Sequence, residues 1–147
     1  MNINTLREEI AVDEGIKLTL YNDHLGLKTC GIGHLCREED EEFEFPIGTP
    51  ITEERCNELF AQDIQITIND CKKVYDDWFK LPEEVQLICA NMMFNLGYPR
   101  YSKFKKKIQA VKDGDWVEAS KQMTDSRWYT QVPNRAKRLV DRMHALA

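Results

Sequence analysis

Asp13–Leu35 reads DEGIKLTLYNDHLGLKTCGIGHL, and the fold can be built outward from it. The residues just upstream, Leu6–Glu14, form a short helical pattern with Asn4 or Thr5 available as cap. Gly15 then supplies a left-handed stop. Leu18–Tyr21 and Thr29–Ile32 are short strand candidates, joined by a turn rich in Asn22, Asp23 and Gly26. The stretch therefore predicts a helix end followed by an antiparallel hairpin. Glu14 stands at the helix stop, Asp23 in the turn and Thr29 on the returning strand.

Downstream, CREEDEEFEFPIGTP carries an acidic run over Glu38–Glu44 and two prolines, which predicts an exposed, solvated connection. The run lacks the alternating ligands and glycine of a calcium loop. Thr52 caps a long helix, with Glu53 and Glu54 in its first turn. Cys56, Leu59, Phe60, Ile64, Ile68, Cys71 and Val74 hold one face of it over about six turns, roughly 35 Å. Pro82 opens the next helix. Its segment VQLICANMMFNLG is apolar nearly all round, so a central buried helix is expected to end at Gly97. Lys103–Val111, a segment capped by Asp115 and Arg135–Leu146 complete a helical series. The fold class expected is α+β, mostly α. A small N-terminal lobe of roughly residues 12–55 carries a short antiparallel sheet, and helix 52–74 bridges it to a helical lobe of residues 1–11 plus 75–147. A ligand cleft is expected between lobes.

With 147 residues the chain is long enough to bury a core without metal or disulfides. No apolar run reaches the roughly 20 residues of a membrane span, and MNINTLREEIAVDEG lacks the basic start and apolar stretch of a secretory signal. Cys30, Cys36, Cys56, Cys71 and Cys89 are an odd set, read as reduced thiols. Residues 1–99 hold 8 Lys/Arg and 20 Asp/Glu, a net of −12, whereas residues 100–147 hold 12 and 5, a net of +7. The basic third could steer an anionic partner. No nucleic-acid recognition motif accompanies it. His24, Cys30, His34 and Cys36 are metal-ligand types within a short span, but C-x3-H-x-C is not a zinc spacing and no second ligand pair follows, so no metal and no cofactor are expected.

The chemistry sits in the opening stretch. Two carboxyls in different surroundings suit an acid and a base for splitting a glycosidic bond. Helix-end carbonyls around Glu14 disfavour its charged form, as a proton donor requires. Asp23, in a polar turn, stays ionised. The Thr29 hydroxyl could hold a water that Asp23 deprotonates. Gly31 and Gly33 would leave the strand bare for a sugar to approach. His34 reads as a structural hydrogen-bonding group. Trp116, Trp128 and Tyr129 read as packing residues.

The whole pattern is D-E-G-x5-Y-x-D-x2-G-x2-T-x-G-I-G-H, matched from Asp13 to His34. With it go SRWYTQVPNRAKR (Ser126–Arg138) and NMMFNLG (Asn91–Gly97). Together these blocks resemble the phage-type lysozymes, small muramidases that cut peptidoglycan. The resemblance implies a lysozyme-like fold, Glu14 as proton donor, and Asp23 with Thr29 positioning the attacking water. It implies inversion at the anomeric carbon, for which carboxyls about 6.5–9.5 Å apart are typical. Leu35 and Phe94 match saccharide-contact positions, and both also suit a core. Two further contact positions fall on Lys107 and Gln122, where this chain departs from the family's residues. Arg135 and Arg138 would pair with Glu14 and Asp13; the plain alternative is a solvated basic helix face.

The implied protein is a monomeric endolysin acting on bacterial peptidoglycan. It would be made in the host cytoplasm and released to the wall by a separate membrane-permeabilising protein, with no stable membrane association. Competing readings are a tail-associated lysozyme for DNA entry, a non-catalytic wall-binding module, and a lytic transglycosylase.

Overall fold

The computed structural model describes all 147 residues. The chain is mostly helical with one small antiparallel sheet, an α+β architecture. It divides into two compact units, residues 7–66 and residues 1–6 with 67–147.

Helix α1 spans Ile3–Glu14, one turn earlier than the apolar pattern starts. The cap is Asn2, whose carboxamide oxygen accepts the Thr5 N–H at 3.2 Å. After Gly15 come β1 (Lys17–Asn22), β2 (Lys28–Gly31) and β3 (His34–Leu35), in sheet order β1-β2-β3. The third strand was not expected from sequence. Tyr21 faces Thr29 across β1 and β2, and Thr29 faces Leu35 across β2 and β3. Directly opposed residues in an antiparallel ladder share a face, so Tyr21, Thr29 and Leu35 form one cross-strand row. The free edge of β1 is covered by residues 48–51, through Leu20 N–H to Thr49 O and Ile51 N–H to Leu18 O, both 2.9 Å.

The acidic run is exposed as its composition predicts at Glu38, Glu39, Glu41 and Glu44, but not at two of its acids. Glu41–Glu44 form a single 3-10 turn, and Asp40 and Glu42 are buried. Glu42 takes a two-pronged guanidinium contact from Arg55 at 2.9 and 3.0 Å, which holds its carboxyl below the ordinary range. Lys28 Nζ donates to the carbonyls of Phe43 and Phe45 at 2.7 Å, fastening the turn to β2. His34 is the centre of the arrangement. Its Nδ1 meets Asp63 at 2.6 Å and its Nε2 meets Asp40 at 2.7 Å, so both ring nitrogens are engaged.

Burial opposes the His34 charge, but Asp63 and then Asp40 outweigh it and raise the imidazole's pKa. Burial likewise opposes ionised Asp40, yet the Arg37 N–H and His34 bring its pKa below the usual value. The stability given by the imidazolium is fully present below its unfolded pKa of about 6.5 and is lost as pH rises through the raised folded value. That given by Asp40 is present above about 3.9 and lost as pH falls through its lowered value. The expected result is a melting temperature highest between those limits and declining on the alkaline side. In His34→Asn that alkaline decline flattens and stability falls by about 3 kcal/mol, since two carboxylates are left facing each other. Thermal melts of both proteins from acid to alkaline pH check this.

Helix α2 (Glu53–Val74) is capped by Thr52, whose hydroxyl accepts the Arg55 N–H at 3.0 Å. The other unit is helical: α3 (Glu83–Leu96), α4 (Tyr98–Tyr101), α5 (Lys105–Lys112), α6 (Trp116–Thr124), α7 (Arg127–Gln131) and α8 (Pro133–His144). As its all-round apolar character predicts, α3 is buried from Val85 to Met93, and it packs on α4 and α8. Helix α6 packs on α5 and α8 and is capped by Asp115, as expected. Lys107 is wholly buried. Its ammonium has three hydrogens and three acceptors: Tyr101 Oη, Cys89 Sγ at 3.3 Å and Tyr75 Oη at 3.4 Å. All five cysteines are buried free thiols. No helix is long and apolar enough to cross a membrane.

Candidate active site

Glu14 is the last residue of α1, and its carboxylate lies over the peptide backbone of Gly33. A Cβ at position 33 would stand 2.6 Å from Glu14 Oε1 and 2.9 Å from its Cδ, and the residue has φ +59°. Only glycine meets both conditions without strain. The bare strand expected for a sugar is therefore already used. Gly33 receives the glutamate, and Gly31 is buried with its open side toward Cys56 Sγ, 3.2 Å from where a Cβ would be.

Asp23 is fixed by its turn. Its Oδ1 accepts the N–H groups of Leu25 at 2.8 Å and Leu27 at 2.9 Å, while its own N–H donates to Leu27 O at 2.9 Å. Thr29 is buried at 6% exposure, and its hydroxyl also donates to Leu27 O, at 2.9 Å. One peptide residue thus holds the expected base and the expected water holder together. The geometry leaves Asp23 Oδ2 without a protein donor. It also leaves the Thr29 oxygen with its lone pairs, because its proton is committed to a carbonyl.

Tyr21 stands opposite Thr29 in the sheet. Burial raises its phenol pKa first, followed by the charges of Glu14, Asp23 and Cys30. Both carboxylates thus act on one phenol, which stands in the same sheet row as Thr29. Lys17 Nζ lies 4.4 Å from the centre of the Tyr21 ring. Sequence reading placed Tyr21 in the motif without giving it a task; the signal was its period-two spacing from Asp23 across the turn from Thr29. Leu35, 48% exposed, completes the row as an open apolar surface.

Glu14, Asp23, Thr29 and Leu35 all belong to the unit of residues 7–66. Phe94, Arg135 and Arg138 belong to the other. There Phe94 is partly buried on α3 and Arg138 is exposed on α8. Arg135 is not part of a solvated face: it is 8% exposed, and its Nε donates to Asn91 Oδ1 at 2.8 Å. Trp128 is buried with its indole N–H donated to Asn95 Oδ1 at 2.8 Å, in keeping with a packing role.

A chain of this architecture, with a carboxylate at the end of its first helix and a second carboxylate and a threonine on the hairpin that follows, has counterparts among known proteins. The Phage lysozyme family model matches residues 11–145, and the chain belongs to that family. It is a glycoside hydrolase of the lysozyme class. Over 94% of its length it is 29% identical to probable T4-type lysozyme 2 of Dictyostelium discoideum, covering 92% of that protein. It is 32% identical over 92% of its length to the pre-baseplate central spike protein Gp5 of Enterobacteria phage T4, but spans only 27% of it. With the peptidoglycan hydrolase gp36 of Pseudomonas phage phiKMV the identity is 28% over 93% of this chain and 15% of that one.

Proposed function

We propose that the protein hydrolyses the β-1,4 bonds between N-acetylmuramic acid and N-acetylglucosamine in bacterial peptidoglycan, with inversion, and acts in host lysis by a phage. The observation that carries this reading is the shared tie of Asp23 and Thr29 to Leu27, which leaves an acceptor on each of them for a water. A water donating one hydrogen to Asp23 Oδ2 and the other to Thr29 Oγ1 keeps a lone pair for the anomeric carbon. Asp23 takes the proton as the water attacks. Glu14, held by its contact with Gly33, gives its proton to the leaving oxygen. Leu35, exposed in the same sheet row as Thr29, contacts the saccharide. The protein is made in the host cytoplasm and reaches the wall after the membrane has been permeabilised.

Mass spectrometry of fragments from purified peptidoglycan tests the reaction. Reducing N-acetylmuramic ends are expected from the wild type and none from Glu14→Gln. Anhydro ends, or equal digestion by both proteins, would overturn the reading. The Gp5 relative, a baseplate spike protein, favours a second role in entry at the phage tail. Finding the chain in purified virions would select that role.

The acidic composition of residues 1–99 leaves docking on an anionic wall to residues 100–147, with their net charge of +7. Clearing of whole wall is therefore expected to fall severalfold between low salt and about 0.15 M, where the screening length is about 8 Å. A turbidity series at constant pH checks this, and a flat profile would remove the docking role.

A further inference from the structure

A cavity of about 360 Å³ lies in the helical unit, lined by Leu96, Arg100, Lys103, Phe104, Arg127, Trp128 and Gln131. Its three cations come from separate segments: Arg100 from α4, Lys103 from the turn after it and Arg127 from the first residue of α7. No carboxylate lines it, and none pairs with any of the three. Three other arginines are matched by acids: Arg37 meets Asp63, Arg55 meets Glu42 and Arg142 meets Glu84. Three unmatched like charges around one hollow repel each other, and an anion relieves that repulsion. Arg100 Nη2 already leans on Gln131 Oε1 at 3.4 Å, a neutral partner an anion could displace. One wall is firm, because Trp128 is fixed through Asn95. Leu96 and Phe104 are half-buried and supply an apolar floor.

We infer that this cavity binds a phosphorylated sugar unit of a cell-envelope glycan. Two guanidinium forks and an ammonium suit a phosphate dianion better than a single carboxylate, since each fork can engage two oxygens. The apolar floor suits the face of a sugar ring. The volume is at the lower end for small-ligand sites and fits one sugar phosphate, not an extended chain. The choice of a cell-envelope sugar rests on the proposed action on peptidoglycan, whereas binding of a sugar phosphate would remain if Glu14 had no role in hydrolysis.

The test is NMR titration of the full chain at constant ionic strength with N-acetylglucosamine 6-phosphate, N-acetylglucosamine and inorganic phosphate. The Trp128 indole N–H and the Gln131 amide are the reporters. Saturable shifts are expected with the sugar phosphate, about tenfold weaker binding with phosphate alone, and none with the neutral sugar. Arg100→Gln and Lys103→Gln, both at exposed positions, should each weaken the sugar phosphate by about tenfold while leaving the melting temperature in place. Equal binding of inorganic phosphate, unsaturable shifts, or shifts indifferent to both substitutions would overturn the assignment. So would binding to phosphatidylglycerol vesicles without a response to the sugar phosphate, which would make the ligand a lipid surface.

Discussion

Glu14→Gln is expected to lower kcat on peptidoglycan by about a thousandfold while leaving binding and the melting temperature nearly unchanged. Glutamine keeps the size of the side chain, so it still fits over Gly33 at the end of α1. It cannot deliver a proton to the departing oxygen, and a sugar alkoxide is a poor leaving group without one. The loss should therefore depend on the leaving group. With a glycoside whose leaving group is a stable anion, such as a nitrophenolate, most of the deficit should vanish. Asp23→Asn is expected to lose activity on both substrates, because both need an activated water. Kinetics of the two variants on the two substrates check the division of roles. Equal sensitivity of both variants to the leaving group would contradict it.

Gly33→Ala carries the second large effect. Residue 33 has φ +59°, and the added methyl carbon would sit 2.6 Å from Glu14 Oε1. The backbone conformation alone costs about 1–2 kcal/mol for an alanine. The carboxylate must also move, by about 1 Å to reach ordinary contact, and a displacement of that size near reacting atoms costs about 100-fold in rate. Gly48→Ala separates the two causes. That residue has φ +91° with nothing within 4 Å of an added Cβ, so it should lose comparable stability and keep its activity. Denaturant melts and kcat values of the two variants check this. If both lose activity alike, Gly33 matters only for backbone shape and the close seating of Glu14 has no catalytic weight.

Much of the fold was legible where the determinants are local. Thr52 and Asp115 cap helices in the structure because each needs only a donor three residues ahead. Gly97 closes α3 through its N–H to Met93 O. The hairpin from Lys17 to Gly31 follows from its turn chemistry. The misreadings concern groups whose partners lie far along the chain. Within the acidic run, composition could not single out Asp40 and Glu42 as the buried acids, because it reports charge but not partners. Asp40 is satisfied by His34, six residues back, and Glu42 by Arg55, thirteen residues ahead. Strand β3 was missed because two residues carry no alternation to read. Lys107, at which the chain departs from the family's contact residue, is wholly buried and bonded to tyrosines 75 and 101, a setting that its neighbours Lys105 and Lys106 do not signal.

The candidate site was legible for a different reason. The motif is short in sequence, so its geometry is set within one hairpin and the end of the preceding helix. The residue types at Glu14, Asp23 and Thr29 could be read as a set. What sequence could not supply was the connection among them: the Leu27 tie, the glycine seat under Glu14 and the Tyr21 phenol acted on by both carboxylates. Each depends on how the folded chain brings groups near one another, which residue type alone does not state. Phe94, Arg135 and Arg138 were reached only through the family resemblance, since nothing local marks them.

The central claim is that Asp23 and Thr29 hold the attacking water on the face of the sugar opposite the leaving group. Proton NMR of the first product formed, recorded before mutarotation, tests it most directly. The reaction described here gives the α-anomer of the new reducing end first, from a β-linked substrate. The β-anomer appearing first would contradict it, and would mean that the carbon is attacked twice, through an intermediate held by the protein.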